Sequence, residues 1–320
     1  LRLEPNSSTH PESGEALKKA RNSGVRLLAY DCLVETDSLM INERIPVVLD
    51  SLDLIASPLL AWYDAGRRIL PWREEPTPYH VWLSEIMLQQ TRVEAVKPYY
   101  DRFLKHLPDI ESLAAVEEEQ LLKLWEGLGY YNRARNLKKS AVKIMEEYGG
   151  EMPGEYEQLI GLAGIGSYTA GAVASIAFHK AVPAVDGNVL RIISRLRMDD
   201  RDILDARVRK SIEAELQAVM PKDRPGDFNQ ALMELGAMVC IPNGAPKCGE
   251  CPWREFCQAR IQNCISEYPK KAPKKPRKIE NKTVLVLLDE HCVALHKREE
   301  KGLLAGMYEF PMLEGHKSEE

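Results

Sequence analysis

Four cysteines lie within eighteen consecutive positions of this chain of 320 residues, at Cys240, Cys248, Cys251 and Cys257. Four thiolates this close together can surround one positive centre with sulfur, so their spacing predicts an iron–sulfur cluster or a zinc site. Disulfides are the alternative, but residues 1–30 contain neither the basic start nor the continuous apolar stretch of a secretory signal. A metal centre therefore constrains how residues 240–257 can fold.

Size, hydrophobicity and charge set wider limits on the class of protein. A chain of 320 residues with 44% hydrophobic residues can bury a sizeable core, and we expect two or more domains. No stretch of about 18 apolar residues occurs, so the sequence predicts no membrane partner. Seven cysteines is an odd number, which favours a reducing, cytoplasmic compartment. A net charge of −5 does not exclude nucleic acid, because phosphate binding depends on local groups.

The first fifty residues predict a different structure from the rest of the chain. They indicate a helix at residues 12–22 and two short strands at 25–32 and 45–49. This α/β pattern stops at residue 51.

From residue 51 to residue 260 the sequence predicts almost only helices. Apolar residues recur at three- and four-residue steps, for example in segments 116–125, 134–148, 169–178 and 206–219. The basic, proline-broken residues 270–278 then predict a linker. Residues 283–288 and 293–297 predict paired strands of a second, β-containing domain.

A tight glycine turn precedes a helix of small residues in the middle of the chain. Gly164 and Gly166 stand one residue apart, and bare N–H groups at a helix N-terminus form a ready anion site. Some twenty residues later, Asp186 stands where the helix predicted at 189–196 begins. The position suits a functional carboxylate, but an ordinary N-cap is the alternative.

A second carboxylate, Glu85, lies in the largely apolar segment 81–88. An acid among apolar residues can have the raised pKa that a general acid needs, whereas a solvated glutamate on an exposed helix face is the alternative. The polar residues that follow, Gln89, Gln90 and Thr91, predict either a polar helix end or a group that reads base edges or fills a gap in a base stack.

Several of these motifs together resemble one family. LAGIGSYTAGA at residues 162–172, followed by VDGNV at 185–189, is similar to the helix-hairpin-helix glycosylase superfamily. With PWR, SEIMLQQT, GLGYY and the four cysteines added, residues 54–265 resemble the adenine DNA glycosylases of the MutY type. The resemblance implies a mainly α fold, in which a hairpin-bearing helical barrel lies beside an iron–sulfur lobe.

The resemblance also implies a reaction and its catalytic residues. Members of the family hydrolyse the N-glycosidic bond of adenine mispaired with 8-oxoguanine or guanine in double-stranded DNA, after flipping the adenine out of the duplex. By resemblance, Glu85 protonates N7 of the leaving adenine and Asp186 opposes the positively charged sugar, as paired carboxylates do in glycoside hydrolysis. Tyr168 and Asn188 match catalytic neighbours that orient these two groups.

Other positions match residues that hold the DNA. Trp72, Arg73 and Leu88 correspond to the adenine pocket, and Gln90 and Tyr130 correspond to a wedge pushed into the base stack near the oxidised guanine. The implied DNA-binding residues are Gln89, Gln90, Thr91, Tyr130, Gly164 and Gly166.

One difference from a related family bears on the reaction. Endonuclease III-type enzymes have a lysine where this chain has Tyr168, and the lysine amine forms a Schiff base that leads to strand cleavage. A tyrosine cannot form a Schiff base. The resemblance therefore implies a monofunctional glycosylase without efficient lyase activity.

The four cysteines match the family's ligands for a 4Fe-4S cluster. Seven residues, rather than the more common six, separate Cys240 from Cys248, and we expect the extra residue to loop out within the turn-forming segment 241–247. Zinc remains the alternative metal. Cys264 has no matching role.

The chain is predicted to have four parts. Residues 1–51 contain a segment, 16–49, that resembles the C-terminal end of the sugar fermentation stimulation protein family, and 52–265 form the glycosylase core. Residues 266–280 are predicted to be a linker, and 281–320 resemble the start of an α/β Nudix-like domain that recognises 8-oxoguanine. We expect a fragment at both ends that acts as a monomer in the bacterial cytosol, associated with the nucleoid, with a weakened preference for 8-oxoguanine.

Two other functions stay open at this point. The first is an endonuclease III-like glycosylase that acts on oxidised pyrimidines, which Tyr168 disfavours. The second is a non-enzymatic iron–sulfur DNA-binding module, in which Glu85 and Asp186 are only a surface charge and a helix cap.

Overall fold

The computed structural model describes residues 52–273, 276, 279–299, 302, 304 and 306–318. The helix and strands predicted within residues 12–50, and the resemblance of residues 16–49, lie outside the described part of the chain. The chain divides into two compact units, one ending at Ala272 and the other beginning at Pro273. This division falls within residues 266–280, the predicted linker, and the predicted domain bounds stay predictions.

The described part of the first unit is built from helices joined by short loops. In chain order they are α1 (Ala56–Gly66), α2 (Pro71–Glu74), α3 (Pro78–Leu88), α4 (Val93–His106), α5 (Ile110–Ala115), α6 (Glu118–Trp125), α7 (Asn132–Tyr148), α8 (Tyr156–Ile160), α9 (Ser167–Ile176), α10 (Gly187–Arg197), α11 (Ala206–Val219), α12 (Pro225–Met238) and α13 (Gln258–Ile261), with 3-10 turns at Cys248–Glu250 and Ile265–Glu267. The predicted mainly helical fold is confirmed. No helix in the described ranges is long and apolar enough to cross a membrane.

Local signals in the sequence set the ends of the helices that carry the site. Helix α3 begins with Pro78 in its first turn, and the Thr77 side chain caps it by accepting a hydrogen bond from the His80 amide. Helix α7 ends at Gly149, whose φ of 61° is the left-handed conformation that glycine adopts without steric cost. Helix α12 begins with Pro225 in its first turn.

The helices enclose two hydrophobic cores, which define two lobes of the first unit. The core of the first lobe is formed by residues of α2 to α9. Its largest fully buried side chains include Trp82, Phe103 and Trp125. The rings of Phe103 and Trp125 meet edge to face, with their centroids 6.0 Å apart.

The core of the second lobe is formed by α1, α10, α11, α12 and Trp253. The Trp253 indole donates a hydrogen bond to the Ile55 carbonyl at 3.1 Å, which ties the cysteine-rich segment to the start of α1. Helix α9 packs against both α3 of the first lobe and α12 of the second. A Cβ atom at Gly171 of α9 would lie 2.3 Å from the Pro183 carbonyl oxygen, so glycine permits the close approach of this segment.

The second unit contains three short antiparallel strand pairs among its described residues. β1 (Lys282–Val284) pairs with β6 (Met312–Glu314), β2 (Leu288–Asp289) with β3 (Cys292–Val293), and β4 (His296–Lys297) with β5 (Tyr308–Glu309). The middle of the predicted hairpin is therefore present as β2 and β3. The outer parts of the two predicted strands do not pair with each other. They form β1 and β4, which pair with β6 and β5 in the segment from Tyr308 to Glu314. The likeness of this unit to a Nudix domain stays a prediction.

Candidate active site and cysteine centre

A cavity of about 690 Å³ opens in the first unit where the two lobes meet. Helices α2, α3 and α9 form one side, and the start of α10 together with α12 forms the other. The structure brings eight of the predicted site residues to its wall: Trp72, Arg73, Glu85, Leu88, Thr91, Tyr168, Asp186 and Asn188. Gln89, Gln90, Tyr130, Gly164, Gly166 and the four cysteines are not part of this wall.

Glu85 lies on α3 with only 6% of its surface exposed. Burial raises the pKa of its carboxyl group to about 7, because the protein replaces the water that would stabilise the charge. The Tyr168 hydroxyl donates a hydrogen bond to Glu85 Oε2 at 2.6 Å and lowers this pKa, the charge of Asp186 raises it, and Arg73 lowers it. A carboxyl group with this pKa is partly protonated at neutral pH, so it can deliver a proton to a bound molecule.

Tyr168 lies in the first turn of α9, directly after the glycine turn. The surrounding protein raises the pKa of its hydroxyl well above the ordinary value, and the nearby carboxylates of Glu85 and Asp186 raise it further. The hydroxyl also lies 2.9 Å from the Met233 sulfur. Tyr168 is thus a proton donor held in place between α3 and α12.

Asp186 caps the N-terminus of α10, so the N-cap interpretation describes its geometry correctly. Its Oδ1 accepts a hydrogen bond from the Val189 amide at 2.8 Å, and its Oδ2 accepts one from Asn188 Nδ2 at 2.7 Å. Burial raises the pKa of Asp186, whereas these hydrogen bonds and the charge of Arg191 lower it. The same carboxylate borders the cavity, so capping a helix and facing a ligand are compatible roles.

A buried ion-pair cluster, which sequence reasoning missed, forms one wall of the cavity. Glu234 on α12 is 2% exposed and accepts hydrogen bonds from Arg68 Nε at 3.0 Å, Arg68 Nη2 at 3.1 Å and Arg73 Nη2 at 2.6 Å. Burial alone would raise the pKa of Glu234, but the two guanidinium groups outweigh it and lower the pKa. The sequence signal was present, since Glu234 is a single acid in an apolar segment, as Glu85 is.

Gln90 and Tyr130 are exposed residues on two turns next to the cavity-lining helices. Both have left-handed backbone conformations, with φ of 59° at Gln90 and 49° at Tyr130. Tyr130 is 66% exposed, which is unusual for a large aromatic ring. Gln89 directly precedes Gln90 in the chain, and its Nε2 is 3.5 Å from the Thr169 hydroxyl.

The two glycines of the turn before α9 have different surroundings, and the anion site stays a prediction. Gly164 has a φ of 76°, and a Cβ atom there would lie 2.9 Å from Asn136 Cβ. Gly166 is the N-cap of α9, and a Cβ atom there would meet nothing within 4 Å. The first amides of a helix have no partner within the helix, so the open face at Gly166 can accept an anion.

The four cysteines all line one small cavity in the second lobe, together with Arg195, Arg254 and Arg260. Burial raises the pKa of Cys251 to about 12 and of Cys257 to about 11, so these thiols need a positive centre to become thiolates.

The donor set of this cavity is four thiols, which fits either an iron–sulfur cluster or a zinc ion. No three His, Cys, Asp or Glu side chains in the described ranges converge on one single-ion position. The ends of the loop between Cys240 and Cys248 are joined by a hydrogen bond of 3.0 Å from the Lys247 amide to the Val239 carbonyl. Cys264 does not line this cavity.

Comparison with known proteins agrees with this geometry. Residues 83–220 match the HhH-GPD superfamily base excision DNA repair proteins. A solved structure of a thermostable thymine-DNA glycosylase superposes with a TM-score of 0.58 and 29% identity, over 65% of this chain and 95% of that chain. The fold and the hairpin define a helix-hairpin-helix protein of this superfamily.

Two relatives identify the family within this superfamily. The adenine DNA glycosylase of Mus musculus is 37% identical over 316 residues, which cover 82% of this chain and 61% of the mouse protein. The adenine DNA glycosylase of Buchnera aphidicola subsp. Acyrthosiphon pisum (strain APS) is 39% identical over 256 residues, which cover 79% of this chain and 72% of that protein. The chain belongs to the adenine DNA glycosylase family, as its motifs predict. It spans about three fifths of the length of the mouse relative.

Proposed function

We propose that this chain hydrolyses the N-glycosidic bond of adenine in DNA, at adenine mispaired with 8-oxoguanine or guanine. The observation that carries the proposal is the pair of carboxyl groups that line the same cavity, Glu85 with a pKa of about 7 and Asp186 at a helix N-terminus. Membership of the adenine DNA glycosylase family supports adenine as the base.

The two carboxyl groups have environments that suit different steps of the reaction. Protonated Glu85 gives its proton to N7 of adenine, so that the base leaves as a neutral molecule. Ionised Asp186 stabilises the positive charge that develops on the sugar as the bond breaks, and water then adds to C1′ of the sugar and releases a proton. The hydrogen bonds from Asn188 and the Val189 amide fix both oxygens of Asp186, and they stabilise its charged form.

Trp72, Arg73 and Leu88 form the pocket for the flipped adenine. The Trp72 ring is held edge to face against Tyr100, with centroids 5.4 Å apart, and Arg73 is held by Glu234 at 2.6 Å. A pocket whose walls are fixed before binding loses little entropy when the base enters. Gln89, Gln90, Thr91 and Tyr130 contact the opened duplex, and the hairpin amides around Gly164 and Gly166 hold a phosphate.

The reaction stops at an abasic site, without strand cleavage. Lyase chemistry needs an amine that attacks the sugar, and Tyr168 presents a phenol at the matching position. No lysine is present among the described residues that line the cavity. An endonuclease III-like reaction is therefore disfavoured by two observations.

Cys240, Cys248, Cys251 and Cys257 would hold a 4Fe-4S cluster, and the bound cluster would stabilise the fold of the second lobe. The partner is a double-stranded DNA with an A:8-oxoguanine or A:G mispair, bound by a monomer in the bacterial cytosol near the nucleoid. The described second unit would contribute to recognition of 8-oxoguanine.

Substitution of Asp186 separates an enzyme from a binding module. In single-turnover assays, Asp186→Asn should lower adenine excision by at least about 100-fold, the scale of a lost catalytic carboxylate, and leave DNA affinity nearly unchanged. Asp205→Asn is the matched control, because Asp205 caps α11 through the Arg207 amide at 2.8 Å and lies outside the cavity. A wild-type chain without excision activity, or equal effects of the two substitutions, would contradict the proposal.

A further inference from the structure

Two turns that are far apart in sequence both carry a strained, exposed residue of the predicted wedge. Gln90 follows α3, and Tyr130 precedes α7. Their positive φ values are conformations that side chains other than glycine seldom adopt. Such strain persists only where the surrounding structure fixes it, so something must hold both turns.

Arg133, which is 8% exposed, contacts both turns through its guanidinium group. Its Nη1 donates to the carbonyl oxygens of Ile86 at 3.0 Å, Met87 at 2.9 Å and Gln89 at 2.6 Å. Its Nη2 donates to the carbonyl oxygens of Leu128 at 3.0 Å and Gly129 at 3.2 Å, and to the Thr91 hydroxyl at 3.3 Å.

Each terminal nitrogen of the guanidinium group thus donates hydrogen bonds mainly to one turn. Nη1 binds the end of α3 on both sides of Leu88, and Nη2 binds the two residues directly before Tyr130. The guanidinium carbon Cζ also lies near two aromatic rings, 5.3 Å from the Trp125 centroid and 5.6 Å from the Tyr130 centroid. Because the guanidinium is rigid and planar, it fixes the distance between the turns.

We propose that Arg133 is a positioning residue that sets the spacing of Gln90 and Tyr130, so that both enter the base stack together when DNA binds. The inference rests on the proposed function, because it takes the wedge role of these two residues from it. Arg133 itself is buried beneath the turns and acts through them. A lysine would keep the charge, but one ammonium group cannot reach both turns with the same fixed geometry.

The test measures unstacking of DNA separately from excision. Protein with Asp186→Asn, which prevents excision, is added at saturation to a duplex with 2-aminopurine next to an 8-oxoguanine paired with adenine, and the rise in fluorescence reports unstacking. Arg133→Lys should remove most of this rise. Arg135→Lys is the matched control, because Arg135 lies on the same helix but is only half-buried and is paired with Glu118 at 2.9 Å, and it should leave the rise intact.

A double-mutant cycle distinguishes positioning from general stability. In the Tyr130→Ala background, Arg133→Lys should cause a smaller loss of the fluorescence rise than it does when Tyr130 is present, because only Gln90 is then left for Arg133 to position. With Asp186 intact, Arg133→Lys should slow single-turnover excision by at least about fivefold. If Arg133→Lys does not fold, as judged by its thermal transition, Thr91→Val serves as the second variant. It removes one acceptor of Nη2 and should lower the fluorescence rise only in part.

The outcomes separate this inference from the proposed function. A full fluorescence rise with Arg133→Lys, an unchanged rise with Thr91→Val, a loss that adds in full to that of Tyr130→Ala, or no rise in the parent protein would each overturn the role of Arg133. Unstacking that depends on Arg133 in a chain without excision activity would instead refute the proposed reaction and support the positioning role.

Discussion

Removal of the Tyr168 hydroxyl is expected to move the pH dependence of excision upward. In the wild type, the rate should fall as pH rises through about 7, because Glu85 must be protonated to act as the acid. The hydrogen bond of 2.6 Å from Tyr168 stabilises the ionised form of Glu85 and so lowers its pKa. Tyr168→Phe removes this stabilisation, and Glu85 should then stay protonated at higher pH.

The size of the effect follows from the strength of the hydrogen bond. A hydrogen bond to a charged group contributes about 1.5–3 kcal/mol, and 1.36 kcal/mol corresponds to one pH unit, so the midpoint should rise by about one pH unit or more. The maximal rate of Tyr168→Phe at low pH can fall for other reasons, but the position of the midpoint does not depend on that rate.

The assay is single-turnover excision between pH 5.5 and pH 9.5, with wild type and Tyr168→Phe compared at saturating protein. Tyr268→Phe is the matched control, because it also removes a hydrogen bond from a phenol to a carboxylate, that of Asp200 at 3.0 Å, away from the cavity. A midpoint that stays in place or moves to lower pH in Tyr168→Phe would refute the assignment of Glu85 as the acid.

Three other predictions follow from the same structure. Glu85→Gln should raise the free energy of unfolding, because it removes a buried carboxyl group that costs free energy to ionise. The gain should be absent below about pH 4.5 and should grow to about 3 kcal/mol above pH 7, and thermal scans at pH 4.5 and pH 8 test this. Gly166→Ala should keep the melting temperature and weaken DNA binding, whereas Gly164→Ala should lower the melting temperature because of its φ and its contact with Asn136; equal melting temperatures would contradict this. Cys251→Ser should abolish the visible absorption of the cluster and the thermal stability of the second lobe, and full retention of both would contradict the ligand assignment.

Much of the helical fold was predictable from short-range patterns. The helix predicted at residues 206–219 is found at Ala206–Val219, and the one predicted at 134–148 is found at Asn132–Tyr148. Periodic apolar residues and terminal glycines or prolines decide such elements locally. The cap role of Asp186 was likewise open to prediction, because a cap and its helix are neighbours in sequence.

The features that were missed depend on contacts between distant residues. Glu234 meets Arg68 across 166 positions, and Arg133 meets Ile86 across 47, so only the packed fold brings them together. β1 pairs with β6 rather than with its neighbour, although sequence patterns favour local hairpins. Single charged residues in apolar segments, such as Glu234, are the signal that could have identified part of this network.

The most direct test of the central claim is single-turnover cleavage of a duplex with one adenine opposite 8-oxoguanine, read with and without hot alkali. A matched duplex with an oxidised pyrimidine in place of the adenine runs in parallel. We expect strand breaks at the adenine only after alkali, and none in the parallel duplex, since excision leaves an abasic site that alkali cleaves. Breaks without alkali, or breaks at the oxidised pyrimidine alone, would contradict a monofunctional adenine glycosylase.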